Sequence, residues 1–195
     1  MMVGQTLMMD LIDCGEWDVY RDGKRIGSKD LVIGTNSIDV TLGNKFTWIR
    51  QSHADPIDPY DPGSMSCTSK TVDHIILQPG ETVLGYTRER FDLKGYKTKA
   101  GGHAISPMYD GRSTCGRLFL ASHITAGYGD VGFNSCWTLE LKNMNHNNAL
   151  KLYAGMRIGQ VSFHLIFGCV AYEYVGAYRD QNDAPKPPVL GRDRF

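Results

Sequence analysis

Arg112, Ser113, Thr114, Gly116 and Arg117 set two guanidiniums and two hydroxyls around a small residue that lets backbone N–H groups come close to a ligand. Such groups suit the gripping of phosphate oxygens, because a guanidinium offers paired donors in one rigid plane. The run is not a P-loop, since no Gly-Lys-Ser/Thr ending is present, and Gly-Arg-Ser also occurs in ordinary turns. Downstream, Phe133, Trp137, Leu139 and Leu141 share one parity, and Asn134, Thr138, Glu140 and Lys142 share the other. That period of two predicts a strand with one buried face, on which Glu140 points away from the core. Taken alone, Glu140 reads as a solvated carboxylate. The arginine and hydroxyl run just before it makes it a candidate for moving protons.

The rest of the chain must position these groups. Its 195 residues, 42% of them hydrophobic, suit one domain with a real core. A net charge of +0 gives no global field for a nucleic-acid polymer, so an anionic ligand must be held by a local cluster or a metal ion. No apolar run is long enough to span a bilayer and no signal-peptide pattern opens the chain, which predicts a cytoplasmic protein. Cys14, Cys67, Cys115, Cys136 and Cys169 are odd in number and widely spread, which predicts reduced thiols. Cys115 reads as a packing residue.

Leu7, Met8, Leu11 and Ile12 recur at helical spacing, with Thr6 as N-cap and Gly15 as the stop. Trp17 to Ser28 reads as a hairpin turning at Arg21-Asp22-Gly23-Lys24. Ser37 to Phe46 is predicted as one strand with Ile38, Val40 and Leu42 inward, extended by Trp48 and Ile49. Asp55 to Ser69 reads as an irregular loop whose aspartates are turn carboxylates rather than metal ligands. Lys94 to Pro107 reads as an insertion or mobile loop. The remaining apolar segments, Val72 to Leu77, Thr82 to Tyr86, Leu118 to Ser122, Leu150 to Tyr153 and Ile158 to Phe167, are strand-like, so periodicity predicts a mostly β barrel or sandwich.

An ordered series of motifs sharpens this. Gly111-Arg112-Ser113-Thr114-x-Gly116-Arg117-Leu118, His123-x-Thr125-Ala126-Gly127, Asp130-x-Gly132-Phe133 and Thr138-Leu139-Glu140-Leu141 together resemble the dCTP deaminase branch of the dUTPase superfamily. Asn36 to Phe46, Leu77 to Glu81 and Gly155 to Gln160 resemble further motifs of that family. The resemblance implies a mainly β, distorted β-barrel, jelly-roll-like fold with a short N-terminal helix. It implies one domain over residues 1–195, with 170–195 a C-terminal lid or tail, in homotrimers with active sites between subunits.

The resemblance also implies roles. Glu140 would be the general acid/base, Ser113 and the Ala126 carbonyl would position a water, and Arg117 would fix Glu140 or the transition state. Arg112, Ser113, Thr114, Cys115, Gly116 and Arg117 would contact phosphates, Asp130 the deoxyribose 3′-hydroxyl, and Thr138, Leu139 and Glu140 the base edge. Tyr172 and Gln181 would belong to a lid. Mg²⁺ would arrive with the triphosphate, and zinc would play no part, since the H-x-E and P-C-x-x-C signature of zinc deaminases is absent. His123 reads as a structural histidine.

The lid departs from the family pattern: Ala177 stands where Lys is expected, with Arg179 as a substitute charge. The tail around Pro185, Pro187 and Pro188 is predicted to be extended and mobile until ligand binds. Thr125-Ala126-Gly127 resembles members that both deaminate dCTP and hydrolyse dUTP to dUMP and pyrophosphate. The expectation is therefore zinc-independent deamination of dCTP to dUTP and ammonia, with the second step open. A plain dUTPase, or a nucleotide-binding regulator without turnover, are the alternatives.

Overall fold

The computed structural model describes residues 1–52, 56–93, 104–167 and 176–191. Its elements are α1 (Gln5–Asp13), β1 (Asp18–Arg21), β2 (Lys24–Ile26), β3 (Val32–Ile33), β4 (Ile38–Thr41), β5 (Lys45–Gln51), β6 (Met65–Thr71), β7 (His74–Leu77), β8 (Thr82–Tyr86) and β9 (Glu89–Asp92). After them come β10 (Ala104–Gly111), α2 (Ser113–Arg117), β11 (Leu120–Ala121), β12 (Asn134–Ser135), β13 (Thr138–Asn143), β14 (Leu150–Tyr153) and β15 (Arg157–Ile166). Four small sheets run in the orders β12-β9-β1-β2, β10-β15-β4-β3, β11-β13-β8-β5-β6 and β14-β7. The mainly β fold with a short N-terminal helix is thus observed, its strands wrapped as separate distorted sheets around one core. Trp17, Phe46, Phe91, Tyr109, Leu139, Leu141 and Phe163 are among the side chains fully or almost fully buried there.

Met8, Leu11 and Ile12 of α1 face the core, but the N-cap is Gly4 rather than Thr6, so the helix begins before its first hydroxyl. The hairpin β1-β2 turns at Asp22 and Gly23, both at positive φ, as the Asp-Gly pair requires. The long strand predicted over Ser37 to Phe46 is broken into β4 and β5, which belong to different sheets. The break falls at Gly43, where a Cβ would lie 2.1 Å from the Tyr86 ring, so the chain turns its corner there with no room for a side chain. The strand predicted from Phe133 is likewise broken, into β12 and β13.

Two segments predicted as loops contain strands. β6 occupies Met65 to Thr71 and pairs with β5 along its whole length. It is an exposed edge strand rich in hydroxyls, so no apolar alternation marks it. β10 begins at Ala104, inside the predicted Lys94 to Pro107 loop, and pairs with β15 from Ala104↔Ile166 to Gly111↔Gly159. Pro107 is tolerated because β10 lies at the end of its sheet. The rest of that predicted loop, and Asp55 and Cys169, lie outside the described residues. Asp58 and Asp61 accept hydrogen bonds from the Tyr60 and Gly63 amides, both at 2.8 Å, as turn carboxylates do.

Candidate active site

Glu140 lies on β13 between the core residues Leu139 and Leu141, so strand alternation turns its carboxylate outward. β13 is pinned to β8 with Glu140 opposite Leu84. The carboxylate accepts a hydrogen bond from the Ile124 amide at 3.0 Å, which ties it to the segment carrying Ala126.

That segment is held from its other side by the free edge of β10. The Tyr109 amide donates to the Gly127 carbonyl at 2.7 Å, the Gly129 amide to the Pro107 carbonyl at 2.8 Å, and the Ser106 hydroxyl to the Gly129 carbonyl at 2.7 Å. Gly127 is the residue that permits the contact, since a Cβ there would fall 2.4 Å from the Tyr109 carbonyl oxygen. Ala126 is thereby presented to the same cavity as Glu140. His123 stands edge-on to Tyr109 at 5.5 Å and reaches toward Asp110 at 3.6 Å. Its Nδ1 is buried without a partner among the described residues, so this histidine is only partly satisfied.

The cavity measures about 480 Å³, within the range of small-molecule sites. Ala126, Asp130, Thr138, Glu140 and Gln181 all line it. Phe133 and Trp137, stacked at 4.0 Å, also contribute to its lining. Cys136 lines it too, and burial pushes its thiol up to about 11.

Residues 176–191 close over the cavity. The Thr138 hydroxyl donates to Gln181 Oε1 at 2.8 Å and accepts from the Lys186 amide at 3.0 Å, while the Cys136 amide donates to the Gln181 carbonyl at 3.1 Å. Gln181 is buried, and Tyr178, Arg179, Lys186 and Pro188 line the cavity beside it. The segment around Pro185, Pro187 and Pro188 is thus connected to β12 and β13 by named hydrogen bonds. Tyr172 lies outside the described residues.

The arginine and hydroxyl run lies elsewhere. Arg112 caps the short helix α2, and Ser113, Thr114, Gly116 and Arg117 are exposed on it, while Cys115 is buried in the core. None of the six lines the cavity. Arg112 is engaged in an ion pair with Asp39, which Arg157 also approaches at 3.2 Å. The Arg117 guanidinium has no ion-pair partner among the described residues. Leu139 is fully buried, so only its backbone can face a ligand. Tyr178, which falls in the lid segment aligned with the family pattern, lines the cavity, whereas sequence reasoning missed Lys186, which no motif marks and which tail packing brings in.

Fold and site define a mainly β protein with a nucleotide-sized cleft at a strand carboxylate, covered by its own C-terminal segment. Residues 21–166 match the family model described as dCTP deaminase-like, and the chain belongs to that family. It is 32% identical over 177 residues to a protein of Leptospira biflexa serovar Patoc named dCTP deaminase, dUMP-forming, covering 87% of this chain and 92% of that one. A protein of the same name from Coprothermobacter proteolyticus is 38% identical over 154 residues, covering 76% and 78%. Among solved structures, the 2′-deoxycytidine 5′-triphosphate deaminase of Agrobacterium tumefaciens shares the fold, with a TM-score of 0.56 at 13% identity. That match covers 84% of this chain and spans about half, 48%, of the solved chain.

Proposed function

We propose that the protein deaminates dCTP and carries the product on to dUMP and pyrophosphate. The observation that carries this reading is the convergence of Glu140, Ala126, Asp130 and Thr138 on one cavity of nucleotide size. Glu140 takes one proton from the water that attacks C4 and passes it to N3, then takes the remaining proton from the C4 hydroxyl and passes it to the amino group as the C4–N bond breaks, so that one water enters and one ammonia leaves. The Ala126 carbonyl accepts a hydrogen bond from that water and aims it. Asp130 receives the deoxyribose 3′-hydroxyl, and Thr138 and the strand backbone read the base edge. A carboxylate rather than a zinc-bound hydroxide performs the proton transfers, in keeping with the missing zinc-deaminase signature.

Mg²⁺ binds a triphosphate through the phosphate oxygens with few protein ligands. The ion would arrive with the substrate, bound to its phosphate oxygens. When bound, it would supply charge neutralisation on the triphosphate. The relatives named dCTP deaminase, dUMP-forming, and the Thr125-Ala126-Gly127 sequence support the two-step reading.

The exposed α2 belongs, in this reading, to the cavity of a neighbouring copy. Leu118, Phe119, Ile124 and Met144 are more than half exposed around α2, β11 and the end of β13, and apolar residues grouped on a surface mark an interface. In a homotrimer, Ser113 and Arg117 of one subunit reach the water and Glu140 of the next. Incubation with dCTP and Mg²⁺, with products separated by anion exchange, tests the reading. Appearance of dUMP, pyrophosphate and ammonia without accumulating dUTP is expected. Untouched dCTP alongside cleaved dUTP would make the protein a plain dUTPase, and binding with no product would make it a regulator.

A further inference from the structure

Residues 178–181 lie along β12, the edge strand of the sheet β12-β9-β1-β2. The Asp180 amide donates to the Asn134 carbonyl at 3.0 Å, and the Cys136 amide donates to the Gln181 carbonyl at 3.1 Å. The Ser135 hydroxyl accepts from the Gln181 amide at 3.1 Å and donates to the Tyr178 carbonyl at 3.2 Å. Among these contacts Asp180 sits at φ 60°, a left-handed conformation that a short polar side chain tolerates when it is hydrogen-bonded locally. Asn134 supplies that bond, its Nδ2 donating to Asp180 Oδ1 at 3.0 Å.

Asn134 is itself held from behind. Arg90 on β9 donates from Nη2 to Asn134 Oδ1, and its guanidinium carbon lies 4.9 Å from the centre of the Tyr20 ring. Arg90 does not line the cavity, and among the described residues no carboxylate stands within ion-pair distance of it. Its Nε is buried with no hydrogen-bond partner there. The charge is therefore met by one amide oxygen and one aromatic face. A guanidinium only donates and a carboxylate only accepts, so the amide between them has a single orientation, Oδ1 to Arg90 and Nδ2 to Asp180. A cation at the oxygen end polarises the amide and strengthens donation from its nitrogen end.

We propose that Arg90 is a positioning residue for closure of the cavity, acting through Asn134 on Asp180 and so on Gln181, whose side chain meets the Thr138 hydroxyl at 2.8 Å. The assignment rests on the nucleotide reading of the cavity given above. Asn134 lines the cavity, but both ends of its amide are engaged by Arg90 and Asp180, so it serves the covering segment rather than the ligand.

The test is a double-mutant cycle of Arg90→Met and Asn134→Ala. It is read by hydrogen exchange over residues 176–191, by dCTP binding in calorimetry, and by KM and kcat for dCTP with Mg²⁺. Methionine keeps an apolar stem beside Tyr20 and removes the donors. Arg90→Met is expected to speed exchange at the Asp180, Gln181 and Cys136 amides about three- to tenfold, the weight of one partly exposed hydrogen bond. KM for dCTP should rise by a similar factor, with kcat within about twofold of wild type and exchange in β4 and β15 unchanged. Adding Arg90→Met to Asn134→Ala should change no reading further, because the mediator is already gone. A merely structural role would loosen β1 and β9 as well and would add to the Asn134→Ala loss. Additive losses, no loss, or faster exchange with an unchanged KM would each overturn the assignment. An Arg90→Met chain that fails to melt cooperatively leaves Asp180→Asn, at an exposed position where asparagine keeps the left-handed backbone, to run the same cycle. If the cycle holds in exchange and in dCTP binding but no dCTP is deaminated, the inference stands and the catalytic reading fails. If dCTP is deaminated and the losses are additive, the catalytic reading stands and the inference fails. A wild type that binds no dCTP sinks both.

Discussion

Replacing Gly127 by alanine tests how the Ala126 loop is held. The added Cβ would fall 2.4 Å from the Tyr109 carbonyl oxygen, a separation that real Cβ atoms essentially never show. That oxygen is backbone on β10, paired along its length with β15, and cannot step aside. The loop must therefore move outward by roughly 1 Å to restore an ordinary contact, stretching the 2.7 Å bond from the Tyr109 amide to the Gly127 carbonyl. Ala126 precedes the substitution directly, and a shift of about 1 Å in a group that aims a reactant costs up to about a hundredfold in rate. Overpacking of this kind costs about 1–3 kcal/mol in stability. The assay is kcat for dCTP and for dUTP at a temperature well below the melting point of the variant. Expected are a kcat for dCTP lowered about ten- to a hundredfold and a lowered melting temperature. A kcat within about twofold of wild type, in a variant that is destabilised, would show that the loop takes the strain without moving Ala126, and the positioning role assigned to its carbonyl would fall.

Other consequences are as direct. Glu140→Gln keeps an acceptor for the Ile124 amide but cannot shuttle protons, so kcat should fall by about 10²–10⁴ while dCTP affinity holds, and residual activity within about tenfold would remove Glu140 from the chemistry. Glu89 is fully buried, paired with Arg21 at 2.8 Å and accepting from the Thr41 amide at 2.6 Å, so Glu89→Ala should lower unfolding stability by about 3–5 kcal/mol in denaturant titration. Cys14 and Cys67 are exposed, whereas burial raises the thiols of Cys115 and Cys136, the latter to about 11, so peptide mapping after alkylation at neutral pH should find label on the first pair and not the second. The raised Cys136 value also means that its share of stability is complete below the ordinary thiol range near 9.0 and is lost as pH rises through about 11, readable as a falling melting temperature.

The sequence is legible where side chains alternate or where a turn demands a particular residue. β13 shows inward Leu139 and Leu141 against outward Thr138 and Glu140, and Asp22-Gly23 marks its hairpin, so both can be read directly. β6 cannot, because an exposed edge strand need bury nothing and its Ser, Thr and Lys residues resemble a loop. The corner at Gly43 depends on Tyr86, far away in the chain, and no local pattern announces a contact with a distant ring. The same limit applies to the site. Glu140, Ala126, Asp130, Thr138 and Gln181 are legible as motifs and do share a cavity, but Lys186 enters it only because the tail folds back onto Thr138.

The position of Arg117 outside the cavity that Glu140 lines gives the sharpest test of the proposed assembly. Each chain holds Glu140 in its cavity and carries Arg117 on α2 outside that cavity. If each active site joins Glu140 of one subunit to Arg117 of another, Glu140→Gln and Arg117→Ala are defects in different halves of different sites. Subunits dissociated, mixed in equal amounts and reassembled at random place an intact Glu140 in half of the sites and an intact Arg117 beside it in half of those, so about a quarter of wild-type activity should return from two inactive proteins. Were both residues to act within one chain, every chain in the mixture would still carry one defect and no activity would appear. Recovery therefore counts the fraction of sites shared between subunits, and failure to recover, in a mixture shown by mass spectrometry to contain mixed assemblies, would confine the chemistry to the single chain and overturn the shared site.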